Sequence, residues 1–287
     1  MISRGNESIE HILDSKLPHT SGPAWLSENV LKNRRVIAVS GTHGKTSTTA
    51  MLTWILVNLG MDPGFLIAGK PKDFSVSAKL GKDEIFVIEA DEYDTAFFDK
   101  RAKLIHYNPE VLIINNLEFD HADIYSNLPE IQKQFHNLIR TMSSEDCIVF
   151  PGDDKNIREV LDLGVWSKEV EFGVEGNSSN YFEAIKKDHS SVRFSINKKV
   201  AEINWNLLGE HNARNAITAL LALQHFNLSL SDSAKSLESF SGVKRRLDTI
   251  IDRKDLKLFD DFAHHPTAIQ ETLKGLRSRY LDNRIIA

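Results

Sequence analysis

The sequence predicts an α/β fold, a mainly parallel sheet between helices with a small antiparallel layer. Three observations carry this expectation. Strand and helix signals alternate from about residue 35 onward. The strand signals are uninterrupted apolar runs, as strands buried on both faces require. Over residues 181–208 the texture changes to alternating, more polar strands such as Val192-Arg193-Phe194-Ser195-Ile196, which reads as a small antiparallel hairpin layer.

Each element follows from its own pattern. Arg35-Val36-Ile37-Ala38-Val39-Ser40 is a short β-rich run, and Gly41-Thr42-His43-Gly44 separates it from a helical pattern. Met51, Trp54, Ile55 and Leu59 fall on one face of that helix, and Gly60 closes it. Further strands read at Ile85-Phe86-Val87-Ile88, Val111-Leu112-Ile113-Ile114 and Cys147-Ile148-Val149-Phe150. Ile131, Phe135, Leu138 and Met142 mark an amphipathic helix, and helices resume over 212–224 and 232–240. A last helix spans 266–279, and Arg284-Ile285-Ile286-Ala287 resembles the opening of a strand.

Bulk properties narrow the function classes. With 287 residues the chain can build one large domain or two modest ones. Hydrophobic residues at 41% and charged residues at 26% are ordinary for a globular protein. A net charge of -5 disfavours general affinity for nucleic acid or anionic membrane, both of which need a basic face. The lone cysteine, Cys147, lies in an apolar run and reads as a buried strand residue. No signal-peptide core opens the chain, so the cytoplasm is the expected compartment. No obligate protein partner is evident.

The strongest local signal is strand, Gly41-Thr42-His43-Gly44-Lys45-Thr46, helix. Glycines let backbone N–H groups approach phosphate oxygens, and a helix N-terminus adds positive partial charge. Lys45 can reach β- and γ-phosphates, and the Thr46 hydroxyl can bind Mg²⁺. Val39 stands where the general P-loop pattern has its first glycine. Two acidic segments, Glu89-Ala90-Asp91-Glu92 and Glu118-Phe119-Asp120-His121, follow strands, so both should face this loop at the carboxyl edge of the sheet. Hard oxygen ligands there suit Mg²⁺, and His121 could ligate a second ion. Taken alone, each acidic run reads equally well as a solvated loop, and His121 as a capping or core histidine.

Together these segments resemble the Mur ligase family. Residues 41–46 are similar to that family's phosphate loop, and Leu208-Gly209-Glu210-His211-Asn212-Ala213-Arg214-Asn215 to its Gly-x-His-Asn-x-x-Asn segment. Arg245-Arg246-Leu247-Asp248 is similar to its arginine motif, and Asp260-Asp261-Phe262-Ala263-His264-His265-Pro266 to the opening of its third domain. Within the family, residues 21–26, 89–101 and 115–125 resemble the members that attach the murein tripeptide L-alanyl-γ-D-glutamyl-meso-diaminopimelate to UDP-N-acetylmuramate in peptidoglycan recycling.

The resemblance implies a P-loop-type central domain, ATP and Mg²⁺ as cofactors, and UDP-N-acetylmuramate and the tripeptide as substrates. It implies that Gly41, Thr42, His43, Gly44, Lys45, Thr46 and Ser47 surround the phosphates of ATP, with Lys45 on the γ-phosphate. Thr46 and Glu89 would ligate one Mg²⁺ and His121 a second. Lys45, Glu89 and His121 form the implied catalytic set. Asn212 and Asn215 would read adenine, Arg246 the ribose or phosphates, and Asp261 the ribose hydroxyls. His43 and His264 are candidates for contact with the muramate carboxylate. Several family members carry a carbamylated lysine; here Gln134-Phe135 falls near that position with Lys133 adjacent, and the modification is not carried over. Residues 1–34 are expected to be a remnant of an N-terminal UDP-binding domain and linker. Residues 35–260 would form the central ATP-binding domain, and 261–287 the start of a C-terminal amine-binding domain.

The implied chemistry is amide formation through an acyl phosphate. A carboxylate does not condense with an amine in water because hydroxide leaves poorly, and phosphoryl transfer supplies a good leaving group. Three other readings stay open: the sister ligase that adds L-alanine to UDP-N-acetylmuramate, a P-loop NTPase switch, and a catalytically silent nucleotide-binding module. From the expected domain division, these 287 residues alone should bind Mg-ATP weakly and ligate nothing; tripeptide ligation by the isolated chain, followed by product chromatography, would contradict that division.

Overall fold

The architecture is that of a computed structural model, which describes residues 3–174 and 178–287. Every candidate site residue lies among them. Two short helices come first: α1, Glu7–Asp14, capped by Asn6, and α2, Gly22–Leu26, capped by Ser21 with a proline in its first turn. A π-helical turn, Ser27–Leu31, leads into β1, Arg35–Ser40, and then α3, Lys45–Asn58. Next come β2, Gly64–Leu66, β3, Ala78–Lys79, and β4, Ile85–Glu89. A small ribbon, β5, Asp94–Ala96, with β6, Asp99–Ala102, precedes β7, Val111–Ile114. Then follow α4, Leu128–Ile139, β8, Cys147–Pro151, α5, Lys155–Asp162, and β9, Lys168–Val174. β10, Tyr181–Ala184, β11, Ser191–Ile196, and β12, Lys199–Asn204, lead to α6, Glu210–His225, and α7, Leu230–Leu237. A second ribbon, β13, Asp248–Asp252, with β14, Lys257–Asp260, precedes α8, Pro266–Arg279. No helix among the described residues is long and apolar enough to cross a membrane.

Among the described residues, ten strands join one sheet in the order β12-β11-β10-β9-β8-β7-β1-β4-β2-β3. The run from β10 to β2 is parallel, and β11, β12 and β3 are antiparallel additions at the edges. The small antiparallel layer expected over residues 181–208 is present and extends the main sheet, because β10 pairs with β9 and carries β11 and β12 outward.

The period of two along each central strand divides the core into two. Ile37 and Val39 of β1, with Val111 and Ile113 of β7, face α3, α6 and α7. Val36 and Ala38, with Leu112, Ile114 and Ile148, face α4 and α5. This double coverage is why the strands read as unbroken apolar runs. Cys147 belongs to this core, and burial pushes its thiol up to about 12, so it is not a nucleophile.

The one-faced reading of α3 needs correction. Thr46, Thr48, Thr49, Ala50, Met51, Leu52, Thr53, Ile55 and Leu56 are all buried, because the helix is wedged between the sheet and α6 and α7. Its threonines survive burial by turning their hydroxyls onto the helix itself: Thr49 donates to the Lys45 carbonyl and Thr53 to the Thr49 carbonyl, both at 2.8 Å. Residues 284–287, expected to open a strand, have no regular structure, since no strand among the described residues offers them a ladder.

The amino edge of the sheet is tied by charge. Arg35, at the start of β1, donates to both oxygens of Glu110 at 2.9 and 2.5 Å, and the His225 ring meets the same carboxylate at 2.8 Å. This joins β1, β7 and the end of α6. The Arg35 bonds hold the Glu110 carboxyl below its usual range against the opposing effect of burial, and the His225 bond adds to them. A depressed folded-state value means stabilisation that is complete above the ordinary glutamate range and is lost as pH falls through the folded value. Glu110→Gln should therefore destabilise by about 1 kcal/mol at neutral pH, given the solvent screening of Arg35. Urea unfolding should show this gap closing in acid; a gap that stays constant with pH would mean the carboxylate's charge is not what stabilises.

Candidate functional site

The register of the parallel strands builds the site. Val39 lies beside both Glu89 and Ile113, so the chain leaves β1, β4 and β7 at one edge, where ligands gather in open α/β sheets. There the loop 41–44 turns into α3. Gly41 has φ +119° and Gly44 φ +80°. A Cβ on Gly41 would lie 2.8 Å from the Asn116 carbonyl oxygen, and one on Gly44 would lie 2.5 Å from Asn215 Oδ1. Both glycines are thus required by backbone conformation and by close approach.

The segment after β7 holds this loop. Thr42 N–H donates to the Asn116 carbonyl at 3.2 Å, and His43 N–H to Asn116 Oδ1 at 2.8 Å. Asn115 Nδ2 donates to Thr48 Oγ1 at 3.0 Å. Glu118 N–H donates to Thr42 Oγ1 at 2.8 Å. Asp154 and Asn156 of the α5 start anchor the same segment through both the N–H and the carbonyl of Leu117. Sequence reasoning placed Asn115 and Asn116 in this run without a role; an amide pair directly after a buried strand was the signal available.

Gly44 caps α3 without any side-chain bond, which leaves the first-turn N–H groups of a buried helix for an anion. Lys45 Nζ donates to the Gly41 carbonyl at 2.7 Å and contacts Glu92 Oε2 at 3.1 Å. Glu92, only 2% exposed, also meets His121 Nε2 at 3.0 Å and accepts the Tyr125 hydroxyl on its carbonyl. Burial pushes the Glu92 carboxyl up, but the His121 bond and the Lys45 charge outweigh it and hold it below its usual range. Burial lowers His121, and the Glu92 bond and charge more than offset this, so its pKa is raised. His121 has φ +59° and its ring lies 4.1 Å from that of Tyr93.

Glu89 and Glu92 divide the work that the acidic run suggested. Glu89 Oε1 accepts from Thr46 Oγ1 at 3.0 Å and Oε2 from Ala68 N–H at 3.0 Å. Burial raises its pKa. A half-buried carboxylate beside a threonine hydroxyl at a helix N-terminus fits a hard divalent cation, which would restore its charged form. A second group able to hold a cation is Asp91, Glu92 and His121. His121 therefore stands with Asp91 and Glu92, apart from the Thr46–Glu89 pair. Glu92 is the residue that the sequence reading left unassigned.

A cleft of about 1730 Å³ opens beside the loop. His43, Gly44, Ser47, Asn212, Asn215, Arg246 and Asp261 line it, whereas Lys45, Thr46, Glu89 and His121 are not among its lining residues. Asn212 Nδ2 donates to the Leu208 carbonyl at 2.8 Å and lies 3.0 Å from His211 Nε2, so its amide is oriented before any ligand arrives. Asn215 is buried against Gly44. The Asp261 carboxylate accepts from Leu247 and Ala263 N–H groups, which fixes the turn carrying Arg246. Arg246 stacks over Phe262, 5.5 Å from the ring centroid.

Of the paired histidines, His264 is exposed and bonds only locally, to the Phe262 carbonyl. It is His265 that meets the loop, with its ring 4.4 Å from that of His43 and its Nδ1 3.5 Å from Glu118 Oε2. Burial, then the neighbouring His265, lowers the pKa of His43. Lys133 is exposed on α4, and the Gln134 amide oxygen accepts from Ala102 N–H at 3.2 Å.

Comparison with known proteins agrees with this geometry. The Mur ligase middle domain model matches residues 39–223. The chain is 46% identical, over 279 residues, to a UDP-N-acetylmuramate–L-alanyl-γ-D-glutamyl-meso-2,6-diaminoheptandioate ligase of Haemophilus influenzae, covering 97% of this chain and 61% of that protein. The Escherichia coli enzyme of the same name gives 46% over 281 residues with the same coverages. The solved murein peptide ligase of Psychrobacter arcticus superposes with a TM-score of 0.82 at 43% identity, covering 99% of this chain and 63% of that one. This chain thus spans about three fifths of the length of these relatives. A parallel sheet with a glycine-cradled helix N-terminus, and a family model spanning most of that sheet, together place the chain in the Mur ligase family.

Proposed function

We propose that this chain is the nucleotide-binding part of a ligase that uses ATP to join L-alanyl-γ-D-glutamyl-meso-diaminopimelate to UDP-N-acetylmuramate. The observation that carries the reading is the uncapped N-terminus of α3, with Lys45 on one side and the Thr46–Glu89 pair on the other. The names of the full-length relatives support the choice of substrates.

In this reading the N–H groups of the first turn of α3 bind the phosphates of ATP. Lys45 exchanges its bond with Glu92 for the transferred phosphoryl group. Glu92, retained by His121, holds the ammonium beside the loop until the nucleotide binds. Thr46 and Glu89 would hold one Mg²⁺, and Asp91, Glu92 and His121 a second. When bound, these ions cancel the repulsion between the attacking carboxylate and ATP. Asn212 presents a pre-oriented amide to the adenine, and Arg246 and Asp261 face the ribose side of the cleft. Glu118 and the two histidines beside it border the approach of the carboxylate substrate.

Two measurements test this, each in a protein of the relatives' full length. Lys45→Ala should lower kcat by roughly 10²–10³, or about 3–4 kcal/mol of transition-state stabilisation, without loss of fold, because Lys45 serves the loop and not the core. An unchanged kcat would remove Lys45 from the transferred phosphoryl group. With UDP-N-acetylmuramate saturating, kcat/KM should favour the tripeptide strongly over L-alanine; a preference for L-alanine would overturn the substrate assignment and leave the nucleotide site standing.

A further inference from the structure

Three segments distant in sequence bring His43, Glu118 and His265 to one point. His43 comes from the phosphate loop, Glu118 from the turn after β7, and His265 is the N-cap residue of α8. We propose that these three side chains form a binding site for a transition-metal dication of the zinc class, which ties the phosphate loop to the start of α8.

The distances carry the inference. Glu118 Oε2 lies 3.7 Å from His43 Nε2 and 3.5 Å from His265 Nδ1. Both gaps exceed a good hydrogen bond. Both are close to the edge of a tetrahedron with metal–ligand bonds of 2.0–2.1 Å, which is about 3.3 Å. A ligand atom from each residue lies within 4.8 Å of the other two, so a small contraction completes the site.

A second observation points the same way. His43 Nε2 is buried and has no hydrogen-bond partner among the described residues. Buried polar atoms are rarely left so, and each calls for an explanation. A cation at the centre of the cluster supplies the missing partner. The carboxylate is already oriented for the task, since Thr267 Oγ1 donates to Glu118 Oε2 at 2.8 Å, the kind of outer bond that fixes a metal-ligating side chain. His265 Nδ1 also accepts the Thr267 N–H, but at 3.3 Å, a long cap bond that a metal would displace at small cost.

The donor set selects the ion. Two imidazoles and one carboxylate suit zinc, cobalt or nickel, whereas Mg²⁺ prefers oxygen donors. That separates this site in chemistry from the Thr46–Glu89 pair. Three protein ligands leave a fourth position for water. Because His43 belongs to the phosphate loop and His265 starts α8, occupancy braces these two elements against each other.

Cobalt(II) titration of the chain tests the proposal, since its visible absorption reports ligand number. The expected result is saturable binding with the intense bands of a four-coordinate site, displaced by zinc. His265→Asn keeps a good helix-capping side chain but removes the imidazole. It should weaken binding by more than about tenfold, as should Glu118→Gln, because even outer partners of metal ligands are worth that much. His43→Gln, on a separate segment, should do the same, so misfolding of one variant does not decide the outcome. Zinc should raise the Tm of the unaltered chain and not that of His265→Asn. His121→Ala should leave this binding intact. No saturable band, binding unchanged in His265→Asn, or binding abolished by His121→Ala would each overturn it.

Discussion

The close approach of Gly41 to Asn116 is the constraint on which the rest of the site depends. A side chain on Gly41 would collide with the Asn116 carbonyl, and that carbonyl receives the Thr42 N–H while the Asn116 amide receives the His43 N–H. Two adjacent parallel strands, β1 and β7, thereby lock the turns that follow them onto each other. The loop 41–44 is shaped by these contacts alone, so a ligand binding there need not bear the entropy of ordering it. The N-terminus of α3 is presented at a fixed place because the loop that feeds it cannot move independently.

Glu92 organises the charges around that loop. It is almost wholly buried, which is costly for a carboxylate unless it is paired. Lys45 and His121 both pair with it, and the tie to Tyr125 holds its backbone. Each partner still faces the Glu92 carboxylate when the other is removed, so the loss of one leaves it paired. The neighbouring Glu89 is a different case: its partners are neutral donors, Thr46 and the Ala68 N–H, and its pKa is raised. Two carboxylates from one four-residue segment thus carry opposite electrostatic characters, one matched to a lysine and one lacking a cation.

The scaffold that supports this is asymmetric by design of the strand register. The centre of the sheet is covered on both faces, with α3, α6 and α7 on one side and α4 and α5 on the other. The carboxyl ends of β1, β4 and β7 lie side by side at one edge. The amino ends are closed by the Arg35–Glu110–His225 cluster. The candidate site gathers at one edge and electrostatic bracing at the other.

Several features were determined by the sequence alone because they are local. Unbroken apolar runs at residues 36–39, 85–88, 111–114 and 147–150 announce strands buried on both faces, since no shorter-range pattern satisfies two cores. A Gly-rich turn between such a strand and a helix announces a tight strand-to-helix loop, because glycine adopts those dihedrals next to another backbone. Other features only the tertiary structure decided. Whether Glu89 or Glu92 holds Lys45, whether His264 or His265 faces His43, and that Asn115 and Asn116 brace the loop all depend on how turns after separate strands meet. The burial of α3 on nearly every side likewise depends on α6 and α7, which come over 150 residues later. Periodicity reports the environment of one element at a time; contacts between chain segments far apart are set by register and packing, which no local pattern encodes.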